Sequence, residues 1–261
     1  MALLSTDALV LHAFDYLESS RILRLATREA GVRSVLARGA RRSSRRFGSA
    51  LDLFAEGVAE IHTRAGRELD TLGAFEVRRS RPALGEDLGR FLGASAIAEL
   101  VLRFAREGAD PALFDALLAG IAGIAAAAPE EAREATLAAA WHLVSELGFA
   151  PSVESCAECH EPIADDETAM FSHPSGGALC RNCARLAVRG RVMPPAARQA
   201  IARWLRGDRA AVREDGALRA HQRLLREFLR EHLADERPLR AFESWERGAW
   251  GGGTSPEAEA R

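Results

Sequence analysis

The four cysteines of this 261-residue chain occur as two Cys-x-x-Cys pairs separated by twenty residues. Two such pairs bring four thiolates to the corners of a tetrahedron, which is the coordination that structural Zn²⁺ prefers. The segment between the pairs contains prolines and a Ser-Gly-Gly run, as the loops of a zinc ribbon do. We therefore predict a structural zinc site in a ribbon-like module with four ligands, which are Cys156, Cys159, Cys180 and Cys183.

Two other metal chemistries fit parts of this pattern less well. Residues 156–160 have the Cys-x-x-Cys-His spacing of c-type haem attachment, but haem would leave the second pair unexplained. A zinc-dependent nucleobase deaminase needs His-x-Glu followed by Pro-Cys-x-x-Cys, whereas His160 and Glu161 are adjacent and neither pair follows a proline. A closed four-cysteine site also leaves no open position for an activated water. The pattern favours a structural metal over a catalytic one.

A second feature with chemistry is a run of arginines at residues 21–50. The run holds nine arginines against one acid, Glu29, which gives a local formal charge of +8 in a chain whose net charge is −2. Guanidinium groups bind phosphate oxygens in a bidentate manner, and Gly and Ser residues at 38–46 let the backbone approach phosphates. The alternative is a solvated surface loop without a ligand. The predicted DNA-binding residues are Arg21, Arg24, Arg38, Arg41, Arg42, Arg45 and Arg46.

A second basic stretch covers residues 185–209, where seven arginines face one acid, Asp208. The secondary DNA-binding candidates in it are Arg185, Arg189 and Arg191. Aromatic residues for base stacking are scarce near the first arginine run, and most of them are expected in the core. They are Phe14, Tyr16, Phe47, Phe54 and Phe75. This composition favours contacts to the DNA backbone over readout of base sequence.

The sequence argues against catalysis and against a membrane location. It has no Ser–His–Asp set, no phosphate-binding Gly-x-x-x-x-Gly-Lys loop and no acidic cluster suited to two-metal chemistry, so we predict that the protein is not an enzyme. No run of 18 apolar residues is present, and the N-terminus has no secretion signal. We therefore expect a cytoplasmic protein in a compartment that keeps its thiols reduced.

Hydrophobic periodicity divides the chain into zones. Short apolar or alternating runs predict five strands, at 8–14, 22–27, 32–37, 51–62 and 68–77, with a hairpin turn at 63–66 between the last two. Five short strands suggest a small barrel of OB type, although an SH3-like barrel would give a similar pattern. Helical spacing then predicts three helices in an acidic zone at 86–150, with Pro111 and Pro129 starting the second and third. Two more helices are expected after Pro195 and at about 217–234.

The predicted fold is therefore α+β and multi-domain. It begins with a five-stranded OB-fold barrel and continues as a mainly α-helical domain that carries the four-cysteine module. The predicted segments are a DNA-binding barrel at 1–80, a helical domain at 81–150, the zinc module at 151–190, C-terminal helices packing on the helical domain at 191–247, and a disordered tail at 248–261.

An ordered set of motifs resembles the RecO family of bacterial DNA repair and recombination mediators. The set is Thr-Asp-Ala-Leu-Val-Leu at 6–11, Leu-Glu-Ser-Ser-Arg-Ile-Leu at 17–23, the arginine run at 38–46, residues 141–149, the first cysteine pair, Phe-Ser at 171–172 and Gly-Gly-Ala-Leu-Cys at 176–180. The resemblance covers roughly residues 5–245. Two positions depart from many members, which have Lys where this chain has Arg38 and Gly where it has His160. The second departure leaves open whether His160 replaces one cysteine as a ligand.

The resemblance implies the same order of barrel, helical domain and zinc module. It also implies binding of single- and double-stranded DNA, annealing of complementary strands, and a complex with RecR that helps to load RecA onto DNA coated by single-strand-binding protein. The resemblance also implies that the acidic helical zone at 86–150 contacts the protein partners. The alternative that we keep open is a sequence-specific regulator that reads a DNA groove with the zinc ribbon and the basic helix after it.

Overall fold

The N-terminal part of the molecule is a closed barrel of five strands. The computed structural model describes residues 2–40, 47, 51–63, 66, 69–233 and 237–248. The strands are β1 (Ala2–Tyr16), β2 (Ser20–Thr27), β3 (Gly31–Ala37), β4 (Glu56–Thr63) and β5 (Leu69–Arg79). Their order around the barrel is β1-β2-β3-β5-β4, and β1 pairs with both β2 and β4. The β3–β5 pair is parallel, while the other four pairs are antiparallel.

The five predicted strands are confirmed, but two of their boundaries are wrong. The first strand begins at residue 2 rather than 8, because residues 2–7, which lack a regular apolar alternation, still pair with β4. The fourth strand begins at Glu56 rather than Leu51. Phe54 has a φ of +65°, a left-handed conformation that a strand does not accept, and its side chain is nevertheless buried. The apolar run before β4 therefore belongs to the core without being a strand.

β1 supplies two hydrophobic cores at once. Ala8 and Val10 point into the barrel, whereas Leu9 and Leu11 pack in the core of the helical region. Alternate residues of a strand point to opposite faces, so one uninterrupted apolar run can serve both cores. This run joins the barrel to the helices.

The helical zone at 86–150 has the three predicted helices. The elements are α1 (Ala83–Glu86), α2 (Leu88–Phe104), α3 (Pro111–Ala126), a 3₁₀ turn (Pro129–Glu131) and α4 (Ala132–Glu146). Pro111 is the first residue of α3, and the carboxylate of Asp110 accepts a 3.0 Å hydrogen bond from the backbone N–H of Leu113. Pro129 starts the 3₁₀ turn instead of the helix itself.

Three C-terminal helices complete this region. They are α6 (Pro195–Leu205), α7 (Asp215–His232) and α8 (Arg240–Gly248). The largest fully buried side chains include Trp141, Trp204 and Trp245, which belong to α4, α6 and α8 and lie in one continuous core. Within the described ranges, no helix has both the length and the apolar character that crossing a bilayer requires. The predicted tail at 248–261 lies outside the described residues after Gly248.

The cysteine segment between α4 and α6 forms a small three-stranded sheet. Its elements are β6 (Ala169–Ser172), β7 (Gly177–Leu179), the short helix α5 (Arg181–Ala184) and β8 (Arg191–Met193). β6 is the central strand and is antiparallel to both neighbours. A separate small core containing Cys156, Ile163 and Leu179 lies under this sheet.

Candidate metal centre and nucleic-acid interface

The structure brings the four predicted cysteine ligands together. Their Sγ atoms all lie within 4.8 Å of one another. The Sγ atoms of Cys159 and Cys180 are 3.8 Å apart. A tetrahedral site with Zn–S bonds of about 2.3 Å has sulfur–sulfur edges of about 3.8 Å. The cluster has the size and the donor set to hold a tetrahedral metal ion.

Two tight turns position the sulfur atoms. The first pair lies in a loop that is closed by a bridge between Ser155 and Pro162 and by a 2.8 Å hydrogen bond from the backbone N–H of Cys156 to the carbonyl of Glu161. The second pair straddles the start of α5, where Cys180 directly follows β7 and Cys183 lies in the helix. A 2.8 Å bond from the N–H of Ala157 to the carbonyl of Ala178 holds the two turns side by side.

The electrostatics of the cluster favour a thiolate. Burial by itself raises the pKa of Cys156, but backbone N–H groups of Cys159, Cys180 and Glu158 bond to its sulfur and bring the pKa down to about 6. Hydrogen bonds with the other cysteines, Cys156 first, raise the pKa of Cys183 to about 12. Thiolates are the form that binds metals, so N–H donors aimed at the most buried sulfur fit a metal centre.

His160 is not a member of the cluster, which contains the four thiols alone among the described His, Cys, Asp and Glu residues. Its side chain is exposed, and its φ is +63°. Glycine adopts this left-handed conformation freely, whereas another L-residue incurs a cost of roughly 1 kcal/mol. The turn therefore favours glycine at this position, and the histidine of this chain is tolerated there.

The described barrel arginines differ in whether their guanidinium groups are paired within the protein and in how exposed they are. Arg21 pairs with Asp15, with 3.1 Å between Nε and Oδ1. Arg24 lies on β2, and its buried Nε has no hydrogen-bond partner within the described part of the chain. Arg38 is exposed directly after β3. The other four predicted DNA-binding residues, Arg41, Arg42, Arg45 and Arg46, lie outside the described residues and stay predictions.

Two further arginines of the 21–50 run stabilise the fold. Arg28 of the turn after β2 donates a 3.0 Å hydrogen bond to Asp115 of α3, and this bond lowers the pKa of the Asp115 carboxyl. Arg33 of β3 pairs with the buried carboxylate of Asp70, which lies on the parallel partner strand β5. Arg28 therefore forms an ion pair between the barrel and the helical region, and Arg33 forms one between the parallel strands β3 and β5.

Most of the second basic stretch is engaged within the protein. Arg191, a secondary candidate, forms a two-pronged ion pair with Glu227 of α7. Arg198 is buried and donates to the carbonyls of Val153 and Ile163 at the edge of the cysteine module. The other two secondary candidates, Arg185 and Arg189, are exposed.

The expectation that most of the barrel aromatics are core residues is confirmed, with three of the five buried and two exposed. Phe47, Phe54 and Phe75 are buried. Phe14 and Tyr16 are 44% and 41% exposed, because they lie on the outer face of β1 beyond the part that the helices cover. Strict alternation from Ala8 and Val10, which point into the barrel, would place positions 14 and 16 inside as well. The register shift between Val10 and His12 turns them outward, and no signal in the sequence indicates that shift.

Comparison with known proteins matches both parts of the chain to one family. The description "Recombination protein O N terminal" matches residues 1–81, and "Recombination protein O C terminal" matches residues 85–241. The DNA repair protein RecO of Anaeromyxobacter dehalogenans is 36% identical over 238 residues, which cover 89% of this chain and 92% of the relative. The DNA repair protein RecO of Syntrophotalea carbinolica is 36% identical over 180 residues, 69% of each chain. With its barrel, helical region and four-cysteine cluster in the order that these matches span, the chain belongs to the RecO family of DNA repair and recombination proteins.

Proposed function

We propose that this protein is a recombination mediator in DNA repair that binds single- and double-stranded DNA without sequence specificity. It anneals complementary strands and, in a complex with RecR, promotes loading of RecA onto DNA coated by single-strand-binding protein. The main support for this proposal is that the barrel is rich in arginine and that the relatives of this chain are named DNA repair proteins. We place its activity in the cytoplasm, at the nucleoid.

The proposed mechanism is electrostatic and requires no catalytic residue. Two DNA strands repel each other through their phosphates, so pairing is slow until that charge is neutralised. Residues 21–50 carry a formal charge of +8, and guanidinium groups remain charged at every physiological pH. A surface that neutralises both backbones lowers the barrier and leaves the bases to choose their partners.

We propose that the barrel has the OB fold. The support is the strand order β1-β2-β3-β5-β4 with closure between β1 and β4. OB folds bind oligonucleotides on the face of their second and third strands, and Arg24 lies on β2 while Arg38 follows β3. The seven barrel arginines form the main DNA surface in this proposal, and exposed Arg185 and Arg189 extend it.

We propose further that the four thiols hold Zn²⁺ in a structural role. The support is the tetrahedral spacing of the sulfurs and the exclusively thiolate donor set, which suits zinc among divalent ions in a reducing compartment. Bound zinc would fix the two cysteine turns to each other. The acidic helical zone at 86–150 is the proposed contact region for protein partners.

The test of the DNA proposal is a salt series. Binding of random single-stranded DNA is measured by fluorescence anisotropy for the wild type and for an Arg41/Arg42/Arg45/Arg46→Ala variant. Loss of four phosphate contacts should reduce the slope of log affinity against log salt by about 3. A matched variant removes four exposed arginines of the C-terminal helices, Arg223, Arg230, Arg240 and Arg247, and should keep the slope.

Each contrary result has a distinct meaning. An equal slope loss in both variants would show that net charge, and not the barrel segment, controls binding. No binding by the wild type at low salt would overturn the proposed function. Selection from a random duplex library tests the alternative, because a regulator would enrich one sequence bound about 10³-fold more tightly than random DNA.

A further inference from the structure

Three ring side chains line the exposed end of β1. His12, Phe14 and Tyr16 alternate along the strand and are all exposed. The ring centroids of His12 and Phe14 are 5.7 Å apart, which shows that they are neighbours on one face. Phe14 and Tyr16 are among the largest exposed apolar side chains of the barrel.

Strand register extends this row of rings into a surface. Phe14 pairs with Ile22, which pairs with Leu36. His12 pairs with Arg24 in the next row. Paired residues lie on the same face of a sheet, so rings, aliphatic side chains and a guanidinium group share the outer face of β1, β2 and β3. We call the surface formed by His12, Phe14, Tyr16, Ile22, Arg24 and Leu36 the ring face.

The fold itself does not explain why the ring face is apolar. The residues between these positions, Leu23 and Val35, are fully buried and fill the barrel. Among the described residues of β1, β2 and β3, helical packing covers the outer face at Leu9, Leu11, Ala26 and Val32. The outer side of an antiparallel sheet that faces water ordinarily carries polar residues. Exposed rings at this position indicate a ligand with an apolar face.

The charge around the ring face identifies that ligand. Arg24 lies within the face and has no ion pair among the described residues, and the exposed Arg38 follows the end of β3. The rings are complementary to flat aromatic groups of a ligand, and the neighbouring guanidinium groups are complementary to its negative charges. We propose that the ring face binds single-stranded nucleic acid by stacking unpaired bases on Phe14 and Tyr16, while the arginines contact its phosphates.

This inference rests on the proposed function and adds a distinction between substrate and product. Unpaired bases have free π-faces that stack on aromatic side chains whatever their sequence. In a duplex those faces are already occupied by neighbouring base pairs. The ring face therefore binds separate strands and releases them once they have paired, so base pairing drives annealing and the duplex product does not occupy the site.

The test compares two ligands of equal charge. One is an oligothymidylate of about 15 nucleotides, within the site size of a single OB-type barrel, and the other is an abasic strand of the same length. Both are titrated against the full-length wild type, Phe14→Ala and Tyr16→Ala. Phe14→Leu keeps an apolar side chain without a ring. Leu3→Ala is the matched control, because Leu3 is 60% exposed at the opposite end of the same strand.

We expect the wild type to prefer the oligothymidylate. Loss of one stacking ring should weaken its binding by about 5- to 150-fold. The same change should leave abasic-strand binding, duplex binding and the salt slope unaltered, since no phosphate contact is removed. Phe14→Leu should resemble Phe14→Ala, and Leu3→Ala should resemble the wild type. Unchanged thermal midpoints would show that each variant is folded.

Two results would overturn the inference in distinguishable ways. Equal wild-type affinity for the oligothymidylate and the abasic strand would show that bases do not stack on the ring face. The same conclusion would follow if the ring variants weakened binding of both strands equally. Either result would still be consistent with electrostatic binding of DNA. A wild type that binds neither strand at low salt would overturn the proposed function together with the inference.

Discussion

The indole N–H of Trp204 donates a 2.9 Å hydrogen bond to the carboxylate of Glu134, seventy residues earlier in the chain. Both side chains are buried, and the same carboxylate accepts a 3.0 Å bond from the backbone N–H of Ala210 and pairs with Arg209. Glu134 lies on α4 and Trp204 on α6, on either side of the cysteine module. The bond therefore joins the two ends of that module without using the metal centre.

Replacing Glu134 should destabilise the helical core. Glu134→Ala leaves the Trp204 N–H and the backbone N–H of Ala210 without an acceptor, and we expect a loss of about 3–5 kcal/mol of unfolding free energy. Urea unfolding followed by tryptophan fluorescence measures it. Glu130→Ala, at an exposed position of the preceding turn, is the control and should cost less than about 0.5 kcal/mol. Equal midpoints for the two variants would show that the Glu134 network contributes nothing.

Removing one thiol should remove the metal. Cys180→Ser breaks the tetrahedral donor set, so we expect elemental analysis of the purified protein to fall from one equivalent of zinc to near zero. The cysteine module should become protease-sensitive, while the salt slope of DNA binding stays near that of the wild type. Asn182→Ala changes an exposed residue between the second pair and should retain the metal. One full equivalent of zinc in Cys180→Ser would refute the assignment.

His221 should make the protein acid-sensitive. Burial lowers the pKa of its imidazole from 6.5 to about 4, and its ring packs edge-on against Trp204 with centroids 4.7 Å apart. The unfolded chain therefore binds a proton that the folded chain excludes between these values, and stability falls as the pH is lowered from 6.5 to about 4. The loss is on the order of 3 kcal/mol.

His221→Leu has a similar volume and no proton to bind, so its unfolding free energy should depend less on pH over that window. Urea titrations at several pH values test this, with the exposed His12→Leu variant as the control. An identical pH slope for the wild type and His221→Leu would contradict the prediction.

The chain after Gly248 should be dispensable. Phe242 and Trp245 of α8 are almost fully buried and precede this point, whereas the remaining residues are Gly-rich and have few apolar side chains. Truncation after residue 248 should leave the thermal midpoint and DNA affinity unchanged. Truncation after residue 232 also removes both aromatic side chains and should destabilise the core by at least about 3 kcal/mol. A large effect of the shorter truncation would show that the tail has a role.

Several elements could be predicted because their signals are local. Pro111 marks the start of α3, and alternating apolar residues mark the strands. Helix α8 was not predicted as a separate helix, because it is short and follows a connection that contains a proline. The start of β4 was misplaced because Phe54 is apolar and buried but has a left-handed backbone, and hydrophobicity does not reveal that conformation.

The arginines show the limit of counting charge along the chain. Arg21, Arg24, Arg28 and Arg33 belong to one basic run, yet Arg28 and Arg33 neutralise Asp115 and Asp70, which are far away in sequence. Only the folded chain brings such partners together, so a local formal charge overstates the charge that is free to bind phosphate.

By itself, the sequence identified the four cysteines that cluster, the order of barrel, helices and cysteine module, and the family. These follow from covalent spacing and from periodicities that a few neighbouring residues establish. Tertiary structure alone decided which arginines are engaged, that Glu134 and Trp204 meet, and that Phe14 and Tyr16 face outward. The reason is physical: burial and pairing depend on surfaces contributed by distant segments, and those surfaces exist only after the chain has folded.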